Sequence, residues 1–451
     1  MGKYFGTDGF RGEANVDLNP VHAFQIGRYL GWYYGQNHKA RIVIGKDTRR
    51  SSYMYENALA AGIVASGADA YLLHVTTTPC VSYITRTEGF DCGVMISASH
   101  NPFYDNGIKL LNGDGEKMDD ELQDAIEEYI DGLVDELPYA LRENVGQTVD
   151  FYSGRNRYIG YLTRLADSPL ENRTVALDCA NGSTWMIARA VFNALGAKVQ
   201  VIHDRPDGVN INRDCGSTHM EALQELVRTN QVDCGFAFDG DGDRCMAVDE
   251  RGEIVNGDKI MYLCAKFMKD NDQLPDNTVV TTVMSNLGLY KALDAAGIAY
   301  EKTAVGDWYV YENMKEHGHI IGGEQSGHII FRKFARSGDG LITAIMVMSV
   351  MAKTNLPLSA LAAPVSTYPQ VLKNVVVTDK EATLADADVQ AEVAAVEAEL
   401  GDNGRVLLRA SGTEPVLRVM AEAGTPALCE GSVDRIIAAM DRQGYLVEVR
   451  K

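Results

Sequence analysis

The chain has 451 residues, 46% of them hydrophobic, and a formal net charge of −20. That length predicts three or four domains of roughly 100–150 residues, and the apolar content supports several cores and excludes general disorder. The charge argues against nucleic acid or an anionic membrane surface as a main partner. Any phosphate ligand must therefore meet cations concentrated locally.

The opening MGKYFGTDGFRGE is polar and glycine-rich, without the apolar core of a secretory signal. No run of about 18 apolar residues occurs, and the apolar stretch from Leu341 to Met351 is too short to span a bilayer. The eight cysteines show no CxxC spacing and several lie in strand-like runs, so reduced, buried thiols are expected. These features predict a soluble, cytoplasmic protein.

A weak repeat follows. RIVIGKDTRRSS (41–52), TVALDCANGST (174–184) and TVVTTVMSNLGL (278–289) each read as an apolar strand breaking into a small, polar turn and then a helix. Each helix ends near a glycine before a second strand, at 66–75, 195–203 and 296–305. Strand, helix, strand is the βαβ pattern, and three such units predict three similar α/β domains in series. After an apolar helix around 338–354, the proline-bearing stretch 356–369 reads as a linker and a hinge. Beyond it, a strand near 370, one helix from Lys380 to Leu400, two strands around a tight loop at 405–423 and a last helix at about 427–442 predict a fourth, α+β domain. The expected boundaries are 1–150, 151–252, 253–366 and 367–451.

Four loops carry groups suited to chemistry. In VMISASHNPFYDNGIKLL (94–111), a strand ends in small polar residues, and Ser99 is expected exposed on a turn where a hydroxyl could attack. His100 and Lys109 could supply proton transfer or charge. Read alone, this stretch also fits a plain Ser/Asn-Pro turn. No GxSxG elbow exists, which removes support for a hydrolase triad.

In CGFAFDGDGDRCMAVDE (234–250), Asp239, Asp241 and Asp243 alternate with glycines. Residues two apart in extended chain share a side, so the three carboxylates are expected to converge on one hard cation such as Mg²⁺. Arg244 adds a neighbouring positive charge. An EF-hand is excluded because Arg244 takes its glycine position and the flanks read as strands. IIGGEQSGHII (320–330) offers Glu324, Ser326 and His328 between apolar strands, a set suited to sugar hydroxyls and an amine. RASGTEPVLRV (409–419) surrounds a tight loop with Arg409, Ser411, Gly412, Thr413 and Arg418, a cradle suited to phosphate.

FGTDGFRG, ISASHNP, DGDGDR, GGEQSGH and RASGTEP, in this order from residue 5 to 415, resemble the α-D-phosphohexomutase superfamily over essentially the whole chain. SASHNP, GGEQSGH, VMSNLGL and AVGDWYV are most similar to its branch acting on glucosamine phosphates, although Trp308 stands where that pattern has arginine. The resemblance implies three mixed-sheet α/β domains and a C-terminal α+β (TATA-box-binding-protein-like) domain around a central cleft. It implies a phosphorylated Ser99 that joins Asp239, Asp241 and Asp243 in holding Mg²⁺, with Arg11, His100, Lys109 and Arg244 lining the transfer site. Lys109 and Arg11 both remain open as the general acid/base. Glu324, Ser326 and His328 would read the sugar, and Arg409, Ser411, Gly412, Thr413 and Arg418 would hold the distal phosphate. The implied reaction isomerises a hexosamine phosphate through glucosamine 1,6-bisphosphate, by a monomer or homodimer, towards UDP-N-acetylglucosamine and the cell wall. A phosphomannomutase/phosphoglucomutase or a non-catalytic sugar-phosphate binder are the other readings.

Overall fold

The computed structural model describes residues 2–450 apart from residue 7, residues 133–134, 167–168 and 412–415. They form two compact units, Met1–Met284 with Ala296–Pro364, and Ser285–Ala295 with Val365–Lys451.

The first unit holds three sheets. The seven-stranded sheet runs Phe5–Gly6, Gly9–Glu13, Asp105–Asn112, Cys92–Ile96, Arg41–Lys46, Asp69–Val75, Thr148–Asp150. The five-stranded one runs Ile254–Val255, Cys245–Asp249, Cys234–Phe238, Thr174–Asp178, Lys198–Ile202. The four-stranded one runs Ala299–Thr303, Thr278–Thr282, Ile321–Gly323, Ile329–Phe331. The three expected βαβ units are present as parallel pairs: Arg41–Lys46 with Asp69–Val75, Thr174–Asp178 with Lys198–Ile202, and Thr278–Thr282 with Ala299–Thr303.

Each sheet is mixed because it also carries an antiparallel hairpin, and each hairpin's loop is one of the candidate loops. Cys92–Ile96 pairs with Asp105–Asn112, Cys234–Phe238 with Cys245–Asp249, and Ile321–Gly323 with Ile329–Phe331. The strands CGVMI and CGFAF are buried along their whole length, as continuous apolar runs covered on both faces should be. In the first sheet, Ile42, Ile44, Val94 and Ile108 meet Ile26, Leu30, Leu59 and Ile63 in a fully buried core. The helices Pro20–Tyr34 and Arg50–Ala65 that supply the latter approach closely at two glycines. A Cβ on Gly27 would lie 2.2 Å from the Leu59 carbonyl oxygen, and one on Gly62 would lie 2.1 Å from that of Phe24. Alanine at either position would force the helices apart.

The stretch read as a linker is partly structured. Leu358–Ala362 is a short helix with Leu358 and Ser359 buried, and Glu250 accepts from the Ser359 hydroxyl and, at 3.2 Å, from its amide. Glu250, at the end of the segment that carries the acidic loop, is thus a structural acceptor.

The second unit is a four-stranded antiparallel sheet ordered Gly404–Ala410, Val416–Ala423, Gln370–Val377, Leu446–Arg450, packed against helices. The single helix expected from Lys380 to Leu400 is two, Lys380–Ala385 and Ala387–Leu400. Asp386 separates them, its carboxylate accepting the amides of Asp388 and Val389 at 3.0 Å as an N-cap. The segment before the helix Leu287–Ala296 is tied to this unit by the buried Glu422. Its carboxylate accepts from the Leu287 amide at 2.8 Å, from Asn286 at 3.2 Å and from Arg405 Nε at 2.7 Å.

Candidate active site

Ser99 lies in the loop between Cys92–Ile96 and Asp105–Asn112 with φ of +51°, a left-handed conformation that costs a non-glycine residue energy. The surroundings over-determine it. The Ser99 amide donates to Ser97 Oγ at 3.0 Å, while its carbonyl accepts from Asn212 Nδ2 at 2.8 Å and Arg49 Nη2 at 3.1 Å. Asn212 and Arg49 also reach the Asn101 carbonyl, at 3.0 and 2.7 Å. Arg49 is itself completely buried against Asp47. Ser99 is 1% exposed, so the expectation of an exposed serine is corrected. The acidic loop of the second sheet covers it, and Ser99 Oγ donates to Asp239 Oδ2 at 2.5 Å.

That acidic loop closes the hairpin at the pair Phe238 and Cys245. The carboxylates converge through a turn rather than along extended chain, which corrects the alternation argument. Gly242 has φ of +73°, and Asp239 Oδ1 accepts the amides of Gly242 and Arg244, both at 3.1 Å. Asp239, Asp241 and Asp243 are all buried and offer oxygens within 4.8 Å of one another.

Burial and the charges of Asp243 and Asp241 push the Asp239 carboxyl far above its ordinary range. Burial acts in the same sense on Asp243, but Lys109, His328 and Arg244 outweigh it and hold that group ionised. Oδ1 of Asp241 and Oδ1 of Asp243 are buried without a hydrogen-bond partner among the described residues. Crowded, buried oxygens with unused lone pairs fit a hard divalent cation.

Lys109 faces this cluster from the strand Asp105–Asn112. Its Nζ lies 2.9 Å from Asp241 Oδ2, 3.1 Å from Asp8 Oδ1 and 3.4 Å from Asp243 Oδ2. Burial would lower its pKa, but Asp241, Asp8 and Asp243 together raise it well above the ordinary value. It is a fixed ammonium. Arg11 pairs with Asp8, and Arg11 and Arg244 each keep a buried Nε without a partner among the described residues. His100 Nδ1 is 3.3 Å from Ser99 Oγ, and burial with Arg244 and Arg11 nearby pushes the imidazole down to about 4. It is neutral at ordinary pH.

The hairpin loop of the third sheet abuts the acidic loop. Gly327, at φ of +93°, accepts the Cys245 amide at 3.0 Å, and a Cβ there would lie 2.4 Å from the Cys245 carbonyl oxygen. Glu324 is half-buried and accepts from the Gly306 amide at 3.1 Å, and Ser326 is exposed, its hydroxyl 3.4 Å from Glu324. His328 is buried. Its Nε2 accepts the Gly338 amide at 2.9 Å, and its Nδ1 lies 3.8 Å from Asp243. Burial lowers its pKa, but Asp243, Asp307 and Glu324 carry the net value up to about 9. The amide contact needs a lone pair on Nε2. A proton on His328 therefore sits on Nδ1, facing Asp243. A cavity of about 470 Å³ is lined by Asp8, Lys109, Asp243, Asp307, Trp308 and His328, among others.

In the second unit, Arg409 and Arg418 stand directly opposite each other on adjacent strands. Like charges so placed repel, and burial with Arg418 nearby lowers the Arg409 pKa. Arg409 Nε is buried without a partner among the described residues, and Ser411 is buried with its amide bonded to the Val416 carbonyl at 2.9 Å. Gly412 and Thr413 lie outside the described residues.

Several participants escaped sequence reasoning. Arg49 lay within the KDTRRSS turn and Asp8 within FGTDGFRG, but neither carried a role. Thr78, whose hydroxyl donates to Asp241 Oδ2 at 2.6 Å and whose amide donates to the Asp241 carbonyl at 2.9 Å, gave no signal. Nor did Asn212.

Family models for phosphoglucomutase/phosphomannomutase match along the chain: alpha/beta/alpha domain I at residues 2–135, domain II at 156–252, domain III at 256–368 and the C-terminal domain at 372–439. A phosphoglucosamine mutase of Lachnospira eligens is 63% identical, covering 99% of this chain and 100% of its own. One of Bacillus mycoides is 49% identical over 97% and 98%. Among solved structures, a phosphoglucomutase/phosphomannomutase family protein of Burkholderia thailandensis superposes with a TM-score of 0.82 at 24% identity, covering 99% of this chain and 100% of its own. The N-acetylphosphoglucosamine mutase of Aspergillus fumigatus, in complex with GlcNAc-6P and magnesium, gives 0.71 at 17%, over 98% and 96%. Full-length identity at this level settles the lineage: the chain belongs to the phosphoglucosamine mutases, within the phosphoglucomutase/phosphomannomutase family.

Proposed function

We propose that this chain interconverts glucosamine 6-phosphate and glucosamine 1-phosphate, with Ser99 carrying the phosphoryl group and a bisphosphorylated sugar as intermediate. The observation that carries this reading is Ser99 Oγ at 2.5 Å from Asp239 within a buried carboxylate trio. Asp239, Asp241 and Asp243, with an oxygen on Ser99, would hold Mg²⁺, which when bound neutralises charge on the transferring phosphoryl group.

Sugar O1 attacks phosphorus, the P–Oγ bond breaks, and the proton of O1 leaves to a base. The second half-reaction reverses this at O6 after the intermediate turns end over end. The transition state of phosphoryl transfer is loose, so positioning and charge supply most of the rate. Lys109 is the fixed positive charge behind the carboxylates, and Arg11 and Arg244 have guanidinium groups to spare for phosphate oxygens. Asp241, Asp8 and Asp243 hold the Lys109 ammonium well above its ordinary pKa, so it serves as fixed positive charge rather than as a proton donor, and a guanidinium likewise does not exchange protons at working pH. His100, neutral and 3.3 Å from Oγ, can accept a proton. Glu324 and Ser326 are assigned to sugar hydroxyls and the amine, with His328 orienting Asp243. Arg409, Ser411, Gly412, Thr413 and Arg418 are assigned to the phosphate that is not reacting.

We further infer a cytoplasmic enzyme of four domains with boundaries near 150, 252 and 366. The test is turnover of glucosamine, glucose and mannose phosphates side by side. Strong preference for glucosamine 6-phosphate is expected. Equal turnover would indicate the relaxed-specificity mutase, and phosphate release without isomerisation would indicate a phosphatase.

A further inference from the structure

We propose that Glu301, His317 and His319 form a second divalent-cation site, suited to a borderline transition ion such as Zn²⁺ rather than Mg²⁺. Glu301 lies on Ala299–Thr303, the edge strand at the far side of the four-stranded sheet from Ile329–Phe331. His317 is the last residue of the helix Asp307–His317, and His319 follows one residue after its left-handed cap, Gly318. One ligand atom from each of the three lies within 4.8 Å of the others. His319 Nε2 is 3.2 Å from Glu301 Oε1, and His317 Nδ1 is 3.8 Å from Glu301 Oε2. The two imidazoles stack, centroids 5.8 Å apart and planes 18° from parallel.

Hydrogen bonds within the group leave ligand capacity unused. His319 is 5% exposed, yet its Nδ1 has no partner among the described residues. Asn313, one turn before His317, donates Nδ2 to Glu301 Oε2 at 2.5 Å, while its own Oδ1 is buried and also without a partner among the described residues. Two buried polar atoms beside a carboxylate thus keep unused ligand capacity, while His317 Nδ1 lies 3.1 Å from the Asn313 carbonyl oxygen, a contact that an ion would have to replace or leave to Nδ1 by binding Nε2.

Two imidazoles and one carboxylate favour Zn²⁺, Co²⁺ or Ni²⁺ over Mg²⁺, which prefers an all-oxygen shell. Tetrahedral Zn²⁺ needs ligand atoms about 3.4 Å apart. Glu301 and His317 are both partly exposed, so their side chains have room to turn towards a common ion. Bound there, the ion would pin the end of the helix whose residues Asp307, Trp308, Tyr311 and Lys315 line the 470 Å³ cavity.

The test titrates Zn²⁺ calorimetrically, and Co²⁺ by visible absorption, into the full chain saturated with Mg²⁺. Wild type is compared with His317→Asn and Glu301→Gln, both at partly exposed positions outside the catalytic machinery. The expected result is one Zn²⁺ bound in the presence of excess Mg²⁺, a Co²⁺ spectrum of nitrogen-ligated, low-coordinate type, and at least tenfold weaker binding in both variants. Their Mg²⁺-dependent turnover should be unchanged without added Zn²⁺. Zn²⁺ uptake that both variants retain, that excess Mg²⁺ abolishes, or that never occurs in wild type would overturn the proposal. In the last case the three residues form an ion-pair cluster only.

Discussion

Ser99 and Asp239 are 140 residues apart in sequence, and their side-chain oxygens lie 2.5 Å apart. The contact joins the hairpin loops of two different sheets in the same compact unit, and the nucleophile and cation roles assigned above both depend on it.

Three clustered, buried carboxylates, of which Lys109 meets two, make a cation requirement. Chelation should remove activity, and restoring Mg²⁺ should recover it. At a concentration one hundred times its dissociation constant, Mg²⁺ should also stabilise the fold by about 2.7 kcal/mol. Asp241→Asn should lose both effects, as read by thermal melts with and without Mg²⁺.

Lys109 compensates Asp8, Asp241 and Asp243 at once. Lys109→Met removes the one ammonium shared by those carboxylates, and removal of one partner from a buried ionic cluster costs roughly 3–5 kcal/mol. Chemical denaturation in chelator should show that loss, and added Mg²⁺ should recover part of it. The turnover number should remain depressed even in Mg²⁺.

Gly240 supports the Ser99 loop by lacking a side chain. A Cβ there would lie 2.5 Å from the Ser99 carbonyl oxygen and 2.9 Å from Asn212 Nδ2. Gly240→Ala should displace the loop, and misplacement near 1 Å costs about 100-fold in rate. Steady-state kinetics should show the effect mainly in kcat.

Arg409 faces Arg418 across the strand pair. Arg409→Ala should raise KM by roughly 10–100-fold, corresponding to a charged hydrogen bond of about 1.5–3 kcal/mol, with a smaller change in kcat. The unliganded fold should be no less stable, because a like-charge repulsion of about 0.2–1 kcal/mol is removed with the side chain.

Asp339 is buried at the start of the helix Gly340–Thr354, accepting from Ile342 at 3.0 Å and from Tyr158 at 2.6 Å, and burial raises it to about 6. Between its ordinary value of 3.8 and 6, the folded chain holds a proton that the unfolded chain has released. Its contribution to stability therefore falls as pH rises across that window and levels off above it, by roughly 3 kcal/mol in all. Asp339→Asn keeps a capping side chain and should flatten that part of the pH profile in denaturant titrations.

Much of this was legible because the relevant signals are local. The βαβ units announce themselves through strand periodicity and small-residue turns. The acidic loop was found because Asp239, Asp241 and Asp243 are adjacent in sequence. What stayed hidden depends on long-range contact. Ser99 looks exposed when only its own turn is considered; its burial comes from Asp239, Asn212 and Arg49, more than 49 residues away in each case. Asp386 looks like one more acidic residue in an Ala/Glu-rich helix, yet its side chain caps the second half. His328 reads as a ligand-facing imidazole in GGEQSGH, whereas the Gly338 amide takes one of its ring nitrogens.

The most direct test of the central claim is peptide-level mass analysis of the enzyme during turnover, alongside Ser99→Ala. The account predicts one phosphoryl group, located on Ser99, that is discharged by glucosamine 6-phosphate, and a Ser99→Ala variant that binds the sugar phosphate without isomerising it. Full activity in that variant, or a transferable phosphoryl group on any other residue, would contradict it.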